Sequence, residues 1–133
     1  EMLKSTVFGS VTVSYPRGWG IAPSRSNTVA VFTNRKAFFE VHPPDPKAKT
    51  AKAIAESALQ KQGKGASILA QGQDKVGNYD AYWFAVSSGG RKMRVVGIDG
   101  PTRIAVVAYV NAASFDDYAG TFDIMQDSIT FGR

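Results

Sequence analysis

Seven consecutive apolar residues, Ile104 to Val110, constrain the fold of this chain more than any other feature. Successive residues of a strand face opposite ways, so a run that is apolar at every position has two faces to bury. It reads as a central strand, with helices or loops expected above and below it. Two further apolar runs precede it, Tyr79 to Ser87 and Lys92 to Ile98, divided by Ser88-Gly89-Gly90 and Asp99-Gly100-Pro101. Both dividers are turn signals, which makes this part an antiparallel meander. Ser67 to Gln73 supplies another strand on its amino-terminal side.

The covering layers are also legible. Ala51, Ile54, Ala55, Ala58 and Leu59 recur at helical spacing after Thr50, which is placed to cap the start, and before Gly63 and Gly65, either of which can end the helix. A second stripe, Phe115, Tyr118, Phe122, Met125 and Ile129, predicts a closing helix. Ser114 stands three residues before Asp117 in the manner of a capping box, and both stripes read as core contacts.

The first part of the chain carries more strands. Thr6-Val7-Phe8, a Gly9-Ser10 turn and the alternating Val11, Val13 and Tyr15 predict a hairpin ending at Pro16-Arg17-Gly18. Trp19 and Ile21 resume the apolar pattern. Ser24 to Asn27 reads as a turn, Thr28 to Thr33 and Ala37 to Val41 as strands, and Asn34-Arg35-Lys36 as their connection. Pro43-Pro44-Asp45-Pro46 must be loop, since proline removes ladder donors. The expected class is therefore α+β, an antiparallel sheet of about six to eight strands with two main helices packed on it. At 133 residues, and without an internal repeat or linker, one domain over 1–133 is the expectation.

Most enzyme chemistry lacks its residues. There is no cysteine, which removes disulfides, thiolate metal sites and cysteine nucleophiles, and there is one histidine, His42. Placed before Pro43, His42 reads as a surface or loop-packing residue. No G-x-S-x-G elbow occurs, and Gln62-Gly63-Lys64-Gly65 follows a helix instead of opening one, so it reads as a terminator and not a phosphate loop. Asp116 and Asp117 suit the positive end of a helix, while Asp74, Asp80 and Asp99 lie scattered along strands and turns. No catalytic residue, metal site or cofactor is expected. Tyr82, Phe84 and Val86 would share one strand face and Tyr79, Ala81 and Trp83 the other, a pattern of core packing more than of base stacking.

Charge is unevenly divided. Residues 1–75 hold eleven Lys or Arg against five Asp or Glu, and residues 76–133 hold five against six. The net charge of +5 permits an anionic partner, although singly spread lysines also make an ordinary solvated face. Two clusters, Arg35-Lys36 and Arg91-Lys92-Met93-Arg94, make Arg35, Lys36, Arg91, Lys92 and Arg94 the candidate binding surface. No stretch approaches the roughly 20 apolar residues of a membrane helix. The start, Glu1-Met2-Leu3-Lys4, reads as trimmed, by removal of a signal peptide or by excision from a longer chain.

Several motifs carry a family likeness. Ser14-Tyr15-Pro16-Arg17-Gly18-Trp19 resembles the opening strand of PsbP-like domains, a fold similar to that of the Ran-binding Mog protein. Val76-Gly77-Asn78-Tyr79-Asp80-Ala81-Tyr82 resembles the glycine-marked turn before that family's meander. Arg103 to Val110 resembles its long apolar strand, and Ala113-Ser114-Phe115 with Ser128-Ile129-Thr130-Phe131 its closing helix. The turn and helix start are similar to those of the C-terminal module of periplasmic BepA-like zinc metalloproteases, whose zinc motif this chain lacks. The resemblance implies a non-catalytic, extracytoplasmic module, in the periplasm or anchored at a membrane after signal removal. Its implied partner is a protein, and its role assistance in assembly, folding or the work of a neighbouring protease domain. The residues alone leave a second reading, a small-ligand, anionic-lipid or nucleic-acid binder, with nucleic acid the less favoured partner.

Overall fold

A computed structural model describes residues 2–7, 10–22, 30–43, 46–62 and 65–132. The strands are β1 (Met2–Val7), β2 (Val11–Pro16), β3 (Gly20–Ala22), β4 (Ala30–Thr33), β5 (Phe38–His42), β6 (Ser67–Val76), β7 (Tyr79–Ser88), β8 (Arg91–Asp99), β9 (Arg103–Asn111) and β10 (Thr130–Phe131). Helix α1 is Ala51–Gln60, between β5 and β6, and α2 is Phe115–Asp127, between β9 and β10. Seven strands form one antiparallel sheet in the order β3-β4-β5-β9-β8-β7-β6. The apolar run takes the central place that its two-faced pattern demands.

Each face of β9 meets a different layer. Ile104, Val106, Ala108 and Val110 join a core with Val11, Val13, Phe122 and Met125, and so lie beneath the amino-terminal hairpin and α2. Ala105, Val107 and Tyr109 join Ile54, Ala55 and Ala58 beneath α1. The approach of α1 is close because its buried face is Ala51, Ile54, Ala55 and Ala58, three of them alanine. Opposite it stands Gly97 of β8, where an added Cβ would run into the carbonyl oxygen of Ala51.

The hairpin departs from the expected single sheet. β1 and β2 pair from Met2 with Pro16 to Val7 with Val11, and β10 adds to the other edge of β2, giving a separate three-stranded sheet. Strands this short can bury their inner face only against the main sheet. Of the expected segments, Phe8, Thr28 and Val29 of the strands, the turn residues Gly9 and Ser24 to Asn27, and Pro44, Asp45, Gly63 and Lys64 lie outside the described residues.

Helix starts differ in their chemistry. Thr50 Oγ1 accepts from the amide of Ala53 at 3.1 Å, as the sequence predicts. Ser114 makes no such cap. It closes a 3₁₀ turn, Ala112–Ser114, that runs directly into α2, and its helical φ and ψ of −103° and −1° are not those of a capping residue. The first-turn charges Asp116 and Asp117 remain in place against the helix dipole.

The two edges of the main sheet are unequal. β3 is three residues long. β6 runs for ten, with Ile68 and Leu69 48% and 56% exposed and a bulge between Ile68 and Ala70. Gly72 lies across from Trp83, whose ring would stand 3.0 Å from an added Cβ, so the indole covers the strand where the glycine has no side chain.

Candidate functional site

The turn from β4 to β5 is fixed by its own side chains. Thr33 Oγ1 accepts from the amide of Arg35 at 2.8 Å and donates to the carbonyl of Ala37 at 2.8 Å. Asn34 Oδ1 accepts from the amides of Lys36 and Ala37 at 2.9 and 2.8 Å, and its Nδ2 donates to the Tyr118 hydroxyl of α2 at 2.9 Å. Within this frame Arg35 has φ +79°, the only non-glycine residue in the left-handed region among those described. That conformation suits glycine or asparagine better, so the neighbouring bonds hold a strained backbone with a cation on it.

Beside the turn lies a depression of about 450 Å³ lined by Arg35, Lys36, Arg91, Phe38, Tyr109 and Tyr118 among others. The strand order brings Arg35 and Arg91 together, because β5 pairs with β9 and β9 with β8. Phe38 and Tyr109 are register partners, and their rings stack at 5.0 Å between centroids and 17° between planes. The Arg91 guanidinium lies 5.0 Å over the Tyr109 ring. Its lining holds three cations and no carboxylate, and none of the three forms an ion pair among the described residues. Asp116 and Asp117 follow nearby in sequence but do not line it.

The five candidate residues therefore divide. Arg35, Lys36 and Arg91 meet at one place. Lys92 puts its Nζ 5.0 Å over the Phe115 ring, and Arg94 pairs with Asp123 of α2. Alternation along β8 is the cause: Arg91 lies on the Tyr109 side of the strand, and the even-numbered cations on the α2 side. Phe38, Tyr109, Asn34 and Tyr118 are site residues that sequence reading misses, since no local pattern places them together.

Beneath the depression the polar network continues into the core. The Tyr109 hydroxyl donates to Glu40 Oε2 at 2.7 Å, and His42 Nε2 lies 2.8 Å from Glu40 Oε1. With Glu40 ionised its oxygens can only accept, and Nε2 is then the donor of that bond. Glu40 and His42 are 5% and 6% exposed, which corrects the expectation of a surface or loop-packing histidine. Phe38, Glu40 and His42 alternate along β5 with Phe39 and Val41, and the two polar residues on this buried face bond to each other.

At the far end of the sheet, Asp74, Asp80 and Asp99 line a second depression of about 500 Å³ together with Lys52 and Lys75. Asp80 pairs with Lys75 at 3.0 Å and Asp99 with Arg103 at 2.8 Å, so these carboxylates hold neighbouring cations. Among the described residues no group of three histidine, cysteine or acidic side chains is placed to hold a metal ion. On α2 the Asp127 carboxyl is raised above its ordinary range, first by burial and then by the charges of Asp74 and Asp123, with Arg94 opposing. The aromatic residues of β7 are taken up by packing: Trp83 by Gly72, and Tyr82 by Phe84 and by Lys52, whose Nζ lies 5.5 Å from its ring centroid. Among the described residues no helix is long and apolar enough to cross a membrane.

An antiparallel sheet with a helix on each face, one of them flanked by a hairpin, is the α+β arrangement of PsbP-like proteins, and the chain has that fold. The solution structure of cyanobacterial PsbP (CyanoP) from Synechocystis matches with a TM-score of 0.66 at 15% identity, over 91% of this chain and 86% of that one. LpqN of Mycobacterium tuberculosis, involved in cell envelope biogenesis, matches at 0.63 with 11% identity, over 92% of this chain and 83% of its own. A Pseudomonas aeruginosa protein of unknown function matches at 0.58 with 12% identity, over 98% and 96%. No family model and no curated protein sequence matches the chain. Likeness at these identities is one of fold, and function has to be argued from the site.

Proposed function

We propose that the domain is a non-catalytic binding module that works outside the cytoplasm on a protein partner, with the Arg35, Lys36 and Arg91 depression as its contact point. The observation that carries this reading is three cations converging on an aromatic floor in a concavity with no carboxylate in its lining. Surface cations are ordinarily solvated singly or paired. Their convergence raises the local potential and favours an acidic group brought by a partner, an interaction that speeds association and weakens with salt. The PsbP-like fold supports the choice of an accessory module, and the envelope role of LpqN supports the location. Within this reading the domain assists assembly or folding, or serves a neighbouring protease domain as the resemblance to BepA-like modules implies.

The test is cross-linking of the tagged domain in the native envelope, followed by identification of what is captured. Wild type should capture a defined partner at low salt and lose it with Arg35→Glu and Arg91→Glu combined. Equal capture of the same partner by the double variant counts against the site. The concavity's volume of about 450 Å³ also suits a small anion, which is the second reading. Titration calorimetry with inorganic phosphate and short dicarboxylates separates the two, because a small-anion site binds these probes without a partner protein.

A further inference from the structure

The Arg35 turn has a second depression on its other side. It measures about 620 Å³, and its walls are Gly18, Trp19, Ile21, Ala22, Asn34 and Arg35, with Gly20 and Thr33 between them. Arg35 is its one charged residue and lines both concavities. Trp19 is half-buried and meets the Tyr118 ring edge-on at 6.4 Å, while Ile21 is 53% exposed. An apolar surface therefore adjoins a cationic one, with a single arginine as the partition.

Three observations bear on what fits there. β3, which carries Ile21, is an edge strand, and among the described residues its only strand neighbour is β4. Its outer backbone offers donors and acceptors to an extended chain, which an acyl chain cannot use. The left-handed backbone of Arg35 is maintained by four hydrogen bonds from Thr33 and Asn34, although glycine would hold it with less strain. A charge kept at such a cost points to use of that charge. Finally, extended chain advances about 3.4 Å per residue, so side chains one to three residues apart reach both sides of one arginine.

We propose that an extended peptide segment of the partner straddles Arg35, with a bulky apolar side chain against Trp19 and Ile21 and a carboxylate among Arg35, Lys36 and Arg91. This rests on the reading above that the partner is a protein that brings an acidic group, and it adds the sequence character of the bound segment: an apolar residue one to three positions from an acidic one.

Labelled hexapeptides test it by fluorescence polarisation. Each carries one Trp and one Asp, separated by none, one or two residues in a Gly/Ser background, and is compared with Trp-free and Asp-free controls and with phosphatidylglycerol vesicles. One spacing should bind about tenfold tighter than either control, the equivalent of one half-buried apolar side chain or one charge contact. Arg35→Gly, which suits the left-handed backbone, and Ile21→Ser, on an exposed position, should each remove most of that gain. If Arg35→Gly weakens binding and Ile21→Ser leaves it within twofold, the anionic site stands and the straddling segment is overturned. If no peptide binds, or neither variant matters, both are overturned. Vesicle binding with the same sensitivities in place of peptide binding overturns the peptide and assigns the surface to anionic lipid.

Discussion

Replacement of Gly97 by alanine should destabilise the domain, although alanine is the smallest addition possible. A Cβ there would stand 2.5 Å from the amide nitrogen of Ala55 and 2.9 Å from Ile54 Cβ, besides its collision with the Ala51 carbonyl. Ordinary contact begins near 3.5 Å, so α1 has to rise by about 1 Å, and two of the three opposing atoms are backbone that no rotamer change can move. The helix buries Ile54 and three alanines, roughly 5 kcal/mol of apolar contact. A gap of about 1 Å forfeits a quarter to a half of it, or about 2 kcal/mol, and residual strain adds about 1 kcal/mol. Restriction of the unfolded chain returns about 0.5 kcal/mol, which leaves a net loss of roughly 2.5 kcal/mol. For a chain of this length that lowers Tm by about 10 °C. Thermal unfolding followed by far-ultraviolet circular dichroism, with urea titration to confirm an unchanged m-value, measures it. A Tm within about 2 °C of wild type would show that α1 is not seated on β8 as described.

Other substitutions test separate parts of the structure. Gly120→Ala, on the exposed side of α2 with nothing within 4 Å of the added Cβ, should stabilise by about 0.8 kcal/mol in the same unfolding assay. Tyr109→Phe removes a donor from the buried Glu40 carboxylate and should cost about 2 kcal/mol, read as a lower urea midpoint. Because the Asp127 carboxyl is raised, the folded state holds its proton more tightly than the unfolded chain does. Its contribution then favours folding as pH falls through the window above the ordinary Asp value, and opposes folding at neutral pH. Asp127→Asn should therefore stabilise at pH 7 by a few tenths of a kcal/mol, less in high salt, with no gain at pH 3; a loss at pH 7 refutes the sign.

What the sequence discloses is what local pattern can encode. The two-faced run of β9, the helical stripes of α1 and α2 and the Thr50 cap each rest on neighbours within a few residues, and all of them appear. The division of Arg91 from Lys92 and Arg94 was also available, since strand alternation alone separates them. The meeting of Arg35 with Arg91 was not, because it depends on β5 lying beside β9, and strand order is settled by packing between distant segments. Ser114 shows the opposite case, in which a local motif gives way when a 3₁₀ turn carries the chain into α2. His42 is a similar case. The proline after it signals a loop, whereas its burial follows from its place beside Ile54 and Ala58 of α1, with Glu40 two residues earlier as its polar partner.

The three-stranded sheet has a consequence for the order of folding. β2 is flanked by β1, met at once through a short turn, and by β10, where Thr12 pairs with Thr130 at almost the full span of the chain. A contact so distant forms late, because most of the loop has to be ordered first, whereas the β7 to β9 meander is joined by short turns and can assemble early. Within this domain the hairpin is made before the rest and completed last. Throughout synthesis one edge of β2 and the apolar face of Val11 and Val13 stay uncovered, a long exposure that makes the amino-terminal hairpin the segment most in need of protection from premature association.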